Sequence, residues 1–265
     1  SGSTSQPSVT QLSPVVDISD PLNITEGNPD LKPSFNHRLN IRYMNFVPEK
    51  SSSITFFGNG GYTFNDIVSE TTTNLETGRK ETTFKNVDGN WNANGRLMLN
   101  MPLRNIKFSI FSMTNAGYNH SKGFSSIKTS DDAPPESKEN LSRRTNLGQT
   151  LGLNYRSDII DFGIRGNISY NNVRNSLEGQ QDQEYFNYNA SANTTLYLPY
   201  DFSIESDISY NTNSGYSGGF EQEEWLWNAS LQKQLFKQKN GTLRFKIYDI
   251  LQQRSNISRS VTSNY

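Results

Sequence analysis

The sequence predicts an all-β protein, an antiparallel up-and-down β-sheet of about ten strands that is part of a transmembrane outer-membrane β-barrel. Stretches of about ten residues alternate apolar and polar side chains, and very short turns alternate along the chain with long polar connections. Successive side chains of a strand point to opposite faces. Between residues 202 and 211, for example, Phe202, Ile204 and Ile208 share one face, whereas Glu205 and Asp207 share the other.

The composition supports a sheet with one apolar and one polar face. Hydrophobic residues make up 32% of the 265 residues, and the mean hydropathy is -0.73, which is low for a globular domain of this size. Aromatic residues reach 12%, which is too many for a disordered chain. The balance fits a sheet in which half of every strand meets water.

Charge and cysteine content exclude several classes of function. The net charge of -1 and the pI near 6.2 provide no basic field, so we expect no nucleic-acid partner. The absence of cysteine excludes disulfides, thiol catalysis and thiolate metal sites. No run of eighteen apolar residues exists, which excludes a helical membrane span.

The chain divides into a leader and a sheet. Residues 1–24 are expected to form a largely irregular leader or loop, and the first five residues resemble a flexible lead-in or a tag remnant rather than a secretory signal. Pro29 and Pro33 prevent continuous strand pairing, so the sheet is expected to begin after Pro33. Residues 25–265 are therefore expected to form the barrel portion.

Ten stretches of the chain are predicted to be strands. They lie at residues 35–46, 54–64, 84–101, 106–116, 147–155, 162–170, 188–198, 202–211, 225–231 and 243–247. Polar stretches at residues 70–80, 119–140 and 177–182 lack apolar periodicity and are expected to be exposed loops.

One segment fits two types of secondary structure. Residues 221–239 fit a strand, with Trp225 and Trp227 at period two, or a helix, with Trp225, Ala229 and Phe236 on one side. A strand is preferred, because residues 237–241 are typical of a hairpin turn into the following strand.

The alternation of short and long connections assigns them to two rims. The turns near Pro48, Pro102, Asp158, Pro199 and Asn240 are expected at one rim, and the segments near Glu70, Ser130, Gln180, Ser217 and Arg254 at the outer one. Aromatic residues near strand ends are expected at the membrane interface, namely Tyr43, Tyr155, Tyr170, Tyr197, Tyr210 and Trp225. The alternative is that these rings cover a soluble sheet.

The polar faces of the strands offer a candidate ligand-binding site, consisting of Arg38, Arg42, Arg165, Asn167, Glu205 and Asp207. Charge is tolerated inside a wet lumen, whereas on the lipid face at mid-membrane it costs about 2 to 4 kcal/mol. The alternative role, which we favour, is solvation of the wall or packing against a plug. The connections at residues 119–140 and 214–220 are expected to capture ligand.

No catalytic or metal-binding motif fits its sequence context. Residues 215–219 match the Gly-x-Ser-x-Gly string of hydrolases, but a strand rather than a helix is predicted to follow. His37 and His120, the only histidines, lack the spacing of zinc ligands, and Asp131 and Asp132 lack the spacing of an EF-hand. We therefore expect no enzymatic activity, no cofactor and no metal.

Two segments resemble TonB-dependent receptors and related outer-membrane β-barrel proteins. Residues 27–33, Gly-Asn-Pro-Asp-Leu-Lys-Pro, are similar to a Gly-Asn-Pro-x-Leu-Lys-Pro element that precedes a strand in the later part of those barrels. Residues 235–243 and 247–251 are similar to their penultimate hairpin. The resemblance extends from about Leu12 to Tyr265.

The resemblance implies a barrel of twenty-two strands around a plug domain. Residues 25–265 are then the carboxy-terminal portion of the barrel, without the plug, and residues 260–265 are the start of the closing strand. The implied partners are outer-membrane lipid, the plug domain of the same protein, a TonB-type energising complex and a surface lipoprotein. The implied function is binding and uptake of a bulky nutrient, and the bare sheet edges are expected to favour self-association.

A soluble extracellular β-sandwich or adhesin that binds glycan or protein is the alternative. The two predictions differ in where the apolar faces lie. A barrel wall has an apolar outside and a wet inside, whereas a sandwich presses two apolar faces together.

Overall fold

A computed structural model describes residues 1–16, 20–103, 107–130, 134–178, 180–215, 223–236 and 238–254. Within these ranges all strands belong to one 14-stranded sheet. The strands are β1 (Gly2–Ser5), β2 (Asn23–Thr25), β3 (Ser34–Val47), β4 (Ser52–Phe64), β5 (Asp66–Asn74), β6 (Lys80–Val87), β7 (Asn90–Pro102), β8 (Phe108–Lys128), β9 (Glu136–Arg156), β10 (Ile160–Asn175), β11 (Gln183–Leu198), β12 (Phe202–Ser214), β13 (Glu223–Leu235) and β14 (Gly241–Ile247). A short helix, α1 (Val9–Leu12), precedes β2.

Ten of these strands form the wall that the alternating pattern predicts. The order β3-β4-β7-β8-β9-β10-β11-β12-β13-β14 runs along the sheet with every neighbouring pair antiparallel. The up-and-down topology is therefore confirmed. The sheet is open, because the described strands end at β14 on one side and at β3, partly covered by β1, on the other.

The short connections of the wall lie at one rim, as predicted. Pro48–Lys50 form one turn of 3-10 helix between β3 and β4, Pro199–Asp201 form a tight turn in which Tyr200 has a left-handed backbone with a φ of 61°, and residues 157–159 join β9 to β10. β13 ends at Leu235 and β14 begins at Gly241, so the connection between them is also short. β7 ends at Pro102, where a turn is predicted, but residues 104–106 lie outside the described part of the chain.

The preferred strand at residues 221–239 is confirmed and the helical alternative is wrong. β13 pairs with β12 on one side and with β14 on the other. Trp227 lies opposite Ile208 and Trp225 lies opposite Tyr210, so both indoles share the apolar face. Residues 221 and 222 lie outside the described residues.

Two connections that the sequence predicts as loops are strands instead, so those predictions are wrong. Residues 70–80 lie within the hairpin of β5 and β6, and residues 119–140 are mostly the extended ends of β8 and β9. Pairing there continues to Ile127 opposite Glu136. Apolar alternation arises only where one face meets lipid or a core, and these strands contact each other through polar side chains, such as Glu70 with Ser126, instead.

The predicted single strand at residues 84–101 is two strands. β6 ends at Val87 and β7 begins at Asn90, and Gly89 between them has a φ of 99°, which breaks the extended backbone. β6 leaves the wall, pairing with β5 and in parallel with β2, and β5 pairs in parallel with the far end of β8.

The first strand of the wall begins after Pro33 as predicted, but β1 and β2, which precede Pro33, already belong to the sheet. β3 begins at Ser34, directly after Pro33. Asn28 anchors the lead-in, because its Nδ2 donates to the carbonyl of Phe84 over 2.9 Å and its Oδ1 accepts from the amide of Asp30. Within residues 1–24, β1 pairs with β3, and a capping box between Ser8 and Gln11 starts α1.

No two-layer core forms among the described residues. Leu31, Val87 and Val173 are the buried hydrophobic residues of these ranges, whereas Leu151 is 56% exposed and Ile204 is 39% exposed. A sandwich would bury such side chains between two sheets. The soluble β-sandwich is therefore the wrong alternative. In the described part of the chain, no helix is both long and apolar enough to cross a membrane.

Candidate ligand-binding site

The registers give the sheet one continuous apolar face. A row of opposed residues runs from Ile164 through Ala192 and Ile208 to Trp227, and a parallel row joins Leu196, Ile204, Leu231 and Phe245. Every pairing in the wall places apolar positions of one strand opposite apolar positions of the next. The apolar faces of the single strands therefore join into one apolar face of the sheet.

Aromatic rings border the apolar face on both sides. Toward the long connections, ring centroids of Trp91 and Tyr118 are 4.9 Å apart and those of Tyr210 and Trp225 are 4.7 Å apart. Toward the turns, Phe108 and Tyr155 are 4.6 Å apart. The stretch between the borders is about nine to eleven residues on a strand, which is the length that crosses a membrane.

Tyr197 is the exception among the predicted interface aromatics. Tyr43, Tyr155, Tyr170, Tyr210 and Trp225 lie on the apolar face, but Tyr197 lies on the polar face. Its phenol donates to Asp161 Oδ2 over 3.1 Å. The prediction is wrong because Leu196 and Leu198 hold the outward positions on either side of it.

Polar groups on the apolar face are paired within the sheet. The amide of Gln149 donates to Ser112 Oγ over 3.0 Å and accepts from Thr114 Oγ1 over 2.6 Å. The indole of Trp227 donates to Ser206 Oγ over 2.9 Å. Such pairing is required in lipid, where an unsatisfied polar group is costly, and between the aromatic borders no described residue of this face is charged.

The polar face holds a groove of about 510 Å³. Its side chains come from five neighbouring strands, β4 and β7 to β10, and the polar-face residues are Phe57, Asn59, Asn94, Arg96, Asn115, Gly117, Asn146, Gly148, Asn167, Ser169 and Asn171. One groove can collect side chains from five strands only if the sheet curls around it, so the polar face is the concave, inner face of the wall.

Asparagine amides pair across neighbouring strands along this groove. Asn94 Nδ2 donates to Asn59 Oδ1 over 3.1 Å, and Asn146 Nδ2 donates to Asn171 Oδ1 over 2.5 Å. Arg96 Nε donates to Asn115 Oδ1 over 2.8 Å. These bonds fix the side chains while leaving further donors and acceptors facing the groove.

The six predicted site residues all lie on the concave face, but they do not form one site. Asn167 lines this groove, and Arg38 lines two other cavities beside β3, of about 310 Å³ and about 630 Å³. Arg42 and Arg165 stack on phenylalanines, with Cζ 5.3 Å from the ring centroid of Phe57 and 5.4 Å from that of Phe111. Four strands, β4, β7, β8 and β9, separate the two arginines in the sheet.

Glu205 and Asp207 lie apart from the arginines, on β12, and both are paired. Ser230 Oγ donates to Glu205 Oε2 over 3.1 Å, and Asn228 Nδ2 donates to Asp207 Oδ2 over 2.6 Å. Contact of the six residues with a ligand therefore stays a prediction.

Sequence reasoning missed Arg96 and most of the asparagines of the groove. A signal was present, because Asn or Gly recurs at alternate positions of successive strands, as in Asn92 and Asn94 before Arg96 or in Asn115 and Gly117. Each strand alone shows only a polar face, however, and the common groove arises from the pairing of five strands.

A buried carboxylate fastens the β5–β6 hairpin to the extended ends of β8 and β9. Glu70 accepts from Ser126 Oγ over 2.8 Å and from Ser137, and its Oε2 lies 2.7 Å from Lys85 Nζ. Burial opposes its ionisation, but the hydrogen bonds from Lys85, Ser137 and Ser126 outweigh burial and lower the pKa of Glu70. Among the described residues no acidic and histidine side chains cluster in a way that could hold a metal ion.

A single curved sheet with an apolar outer band, aromatic borders and a wet concave face defines the wall of an outer-membrane β-barrel. The comparison with protein families leads to the same class. The chain matches the outer membrane protein beta-barrel family over residues 1–135 and 130–265, and it belongs to this family. The protein is located in the outer membrane and is associated with the lipid of that membrane. Neither the curated proteins nor the solved structures contain a match.

Proposed function

We propose that the chain is the wall of a TonB-dependent receptor-like transporter, which binds a bulky nutrient and lets it cross the outer membrane. The groove on the concave face carries this proposal, because a wet, amide-rich cavity at the height of the membrane is useful only if polar molecules enter the barrel. The Gly-Asn-Pro-Asp-Leu-Lys-Pro segment and the hairpin near the carboxyl end support it as a resemblance.

In this proposal the wall acts passively and catalyses no reaction. A plug domain of the same protein fills the lumen, and a TonB-type complex supplies the energy that displaces it. The ligand enters from the rim of long connections, where β8 and β9 extend beyond the apolar band and β5 and β6 pack against β8. A surface lipoprotein binds at that rim in this proposal, because the extended hairpins offer it a broad polar surface.

Uptake by cells that produce the intact protein tests the proposal. The probes are fluorescein-labelled maltoheptaose and the acidic heptagalacturonate, and an uncoupler removes the energy supply. We expect at least one probe to reach the periplasm and the uncoupler to abolish its entry. Entry of neither probe, or entry unaffected by the uncoupler, would contradict energised transport.

A matched pair of glycines links uptake to the groove. A Cβ on Gly148 would lie 3.8 Å from the Cβ of Asn115, so Gly148→Leu fills the groove without a backbone clash. Gly166 lies on the apolar face with nothing within 4 Å of an added Cβ, so Gly166→Leu adds the same side chain toward lipid. Gly148→Leu should reduce uptake several-fold, and Gly166→Leu should leave it unchanged. Equal uptake by both variants would show that transport does not depend on the groove.

A further inference from the structure

Charge is segregated on the concave face. From β3 to β10 the inward positions at the height of the apolar band carry Arg38, Arg42, Arg96 and Arg165. Among the described residues of these strands, Asp161 supplies the carboxylate that points inward. It lies at the turn rim, where Arg156 Nε is 3.4 Å from its Oδ2. Glu205 and Asp207 lie farther along the sheet, on β12. The groove between β4 and β10 is therefore positive.

Arg96 lines the groove, Arg42 and Arg165 lie beside it, and all three are oriented but not neutralised. Arg42, Phe57, Arg96 and Asn115 are opposed to one another in a single row across β3, β4, β7 and β8. Phe57 supports the guanidinium of Arg42 by stacking, Asn115 holds Nε of Arg96, and Phe111 supports Arg165. None of these three arginines forms an ion pair with a described residue.

Arg96 lines the groove and forms no ion pair with a described residue, so its positive charge attracts an anion there, and Arg42 on the next strand but one adds to this attraction. One strand, β4, separates Arg42 from Arg96, which places their backbones about 10 Å apart. A guanidinium presents a fixed fork of donors that fits a carboxylate or a phosphate with two bonds. The terminal nitrogens of Arg96 are available for such bonds, because Asn115 engages only Nε.

The rest of the groove suits hydroxyl groups. Asn59, Asn94, Asn146 and Asn171 offer both donors and acceptors, which is what a hydroxyl requires. Gly148 leaves space between these amides, whereas the amide oxygen of Asn94 fills the space over Gly117. We propose that the groove binds an anionic ligand rich in hydroxyl groups, with its carboxylate or phosphate on Arg96 and with Arg42 and Arg165 on either side.

This assignment rests on the proposed function for its biological meaning, but binding can be measured without transport. The probes are trigalacturonate and the neutral galactotriose, which differ mainly in their carboxylates. Calorimetry with the purified chain in detergent micelles should detect trigalacturonate, and inorganic phosphate should compete with it. Galactotriose should bind at least tenfold more weakly. Equal affinity for the two trisaccharides, or binding of neither trigalacturonate nor phosphate, would overturn the assignment.

Two arginine variants locate the binding. Arg96→Gln keeps a donor for Asn115 but removes the charged fork, and it should weaken trigalacturonate binding about tenfold or more. Arg244→Gln is the control, because Arg244 lies on the same face at β14 and donates to Gln232 Oε1 over 2.9 Å, far from the groove. Unchanged affinity in Arg96→Gln, or an equal loss in Arg244→Gln, would refute the site. Neither of these results would affect energised transport of a neutral probe. The anion site and the transport function can therefore be refuted independently.

Discussion

Gly27 lies where backbone contacts leave no room for a side chain. Its amide donates to the carbonyl of Ser13 over 2.9 Å, and a Cβ there would lie 2.6 Å from the carbonyl oxygen of Thr10. Gly27→Ala should therefore push the lead-in off α1, at a cost of about 1 to 3 kcal/mol. Limited proteolysis should cut residues 1–30 faster in this variant. Gly60→Ala, where the added Cβ meets its nearest neighbour at 3.6 Å, should digest like the parent chain.

Glu70 makes the stability of the β5–β6 hairpin depend on pH. Its pKa is lowered in the folded state, because the hydrogen bonds from Lys85, Ser137 and Ser126 outweigh the opposing effect of burial. A carboxyl with a depressed pKa stabilises the fold above its ordinary pKa, about 4.3, and loses this contribution as the pH falls through the folded value. Glu70→Gln should destabilise the hairpin by about 1 to 3 kcal/mol at pH 7 and by much less near pH 3.

Amide hydrogen exchange of β5 and β6 at several pH values measures this difference. The control is Glu76→Gln, because Glu76 is exposed in the turn between the two strands. A penalty for Glu70→Gln that stays constant from pH 7 to pH 3 would show that the ionised carboxylate contributes nothing.

The two faces of a single strand give a direct test at the scale of the element. On β11, Ala192 lies on the apolar face between Ile164 and Ile208, and Asn193 lies on the concave face opposite Asp207. Ala192→Arg should cost about 2 to 4 kcal/mol, because it places a charge in the middle of the lipid band. Asn193→Arg should cost less than about 1 kcal/mol, because its charge meets water and a carboxylate.

Urea unfolding of both variants in lipid vesicles compares these costs. An equal loss of stability in the two variants would mean that both faces of β11 have the same environment, contrary to the assignment of lipid to one face.

Strands β8 and β9 show where pattern reading fails. Each has 21 residues, about 70 Å at 3.3 Å per residue, although about nine to eleven residues cross the membrane. Apolar alternation stops at the membrane border because lipid stops there. Pairing continues, because Ser and Thr side chains and the parallel contact with β5 stabilise the hairpin in water. The sequence therefore predicted the embedded half and mistook the exposed half for a loop.

At the scale of the whole molecule, the two rims must face opposite sides of the membrane. The chain has no cysteine, so single introduced thiols report their side without interference. Thr129→Cys lies at the end of the β8–β9 hairpin, and Asp158→Cys lies in a turn of the opposite rim, where both residues are exposed. A membrane-impermeant maleimide should label Thr129→Cys on intact cells and label Asp158→Cys only after lysis. The reverse labelling pattern would show that the barrel has the opposite orientation in the membrane.

Several predictions lie outside the described residues and keep their standing as predictions. Residues 216–220, most of one expected ligand-capturing segment, and residues 260–265, the expected start of a closing strand, belong to this group. Self-association through the sheet edges also stays a prediction. Residues 39–47 of β3 and the outer side of β14 have no strand paired with them among the described residues, so both remain available for an added strand.

The sequence by itself determined the strand class, the faces and the order of the wall. A period of two separates Ile204 and Ile208 from Glu205 and Asp207 whatever the neighbours are, and the short turns at Pro48 and Pro199 force adjacent strands to pair. Only the tertiary structure decided which polar residues share a groove. Arg96 meets Asn115 and the groove collects Asn167 because registers and curvature bring five strands together, and both depend on contacts between residues far apart in the chain.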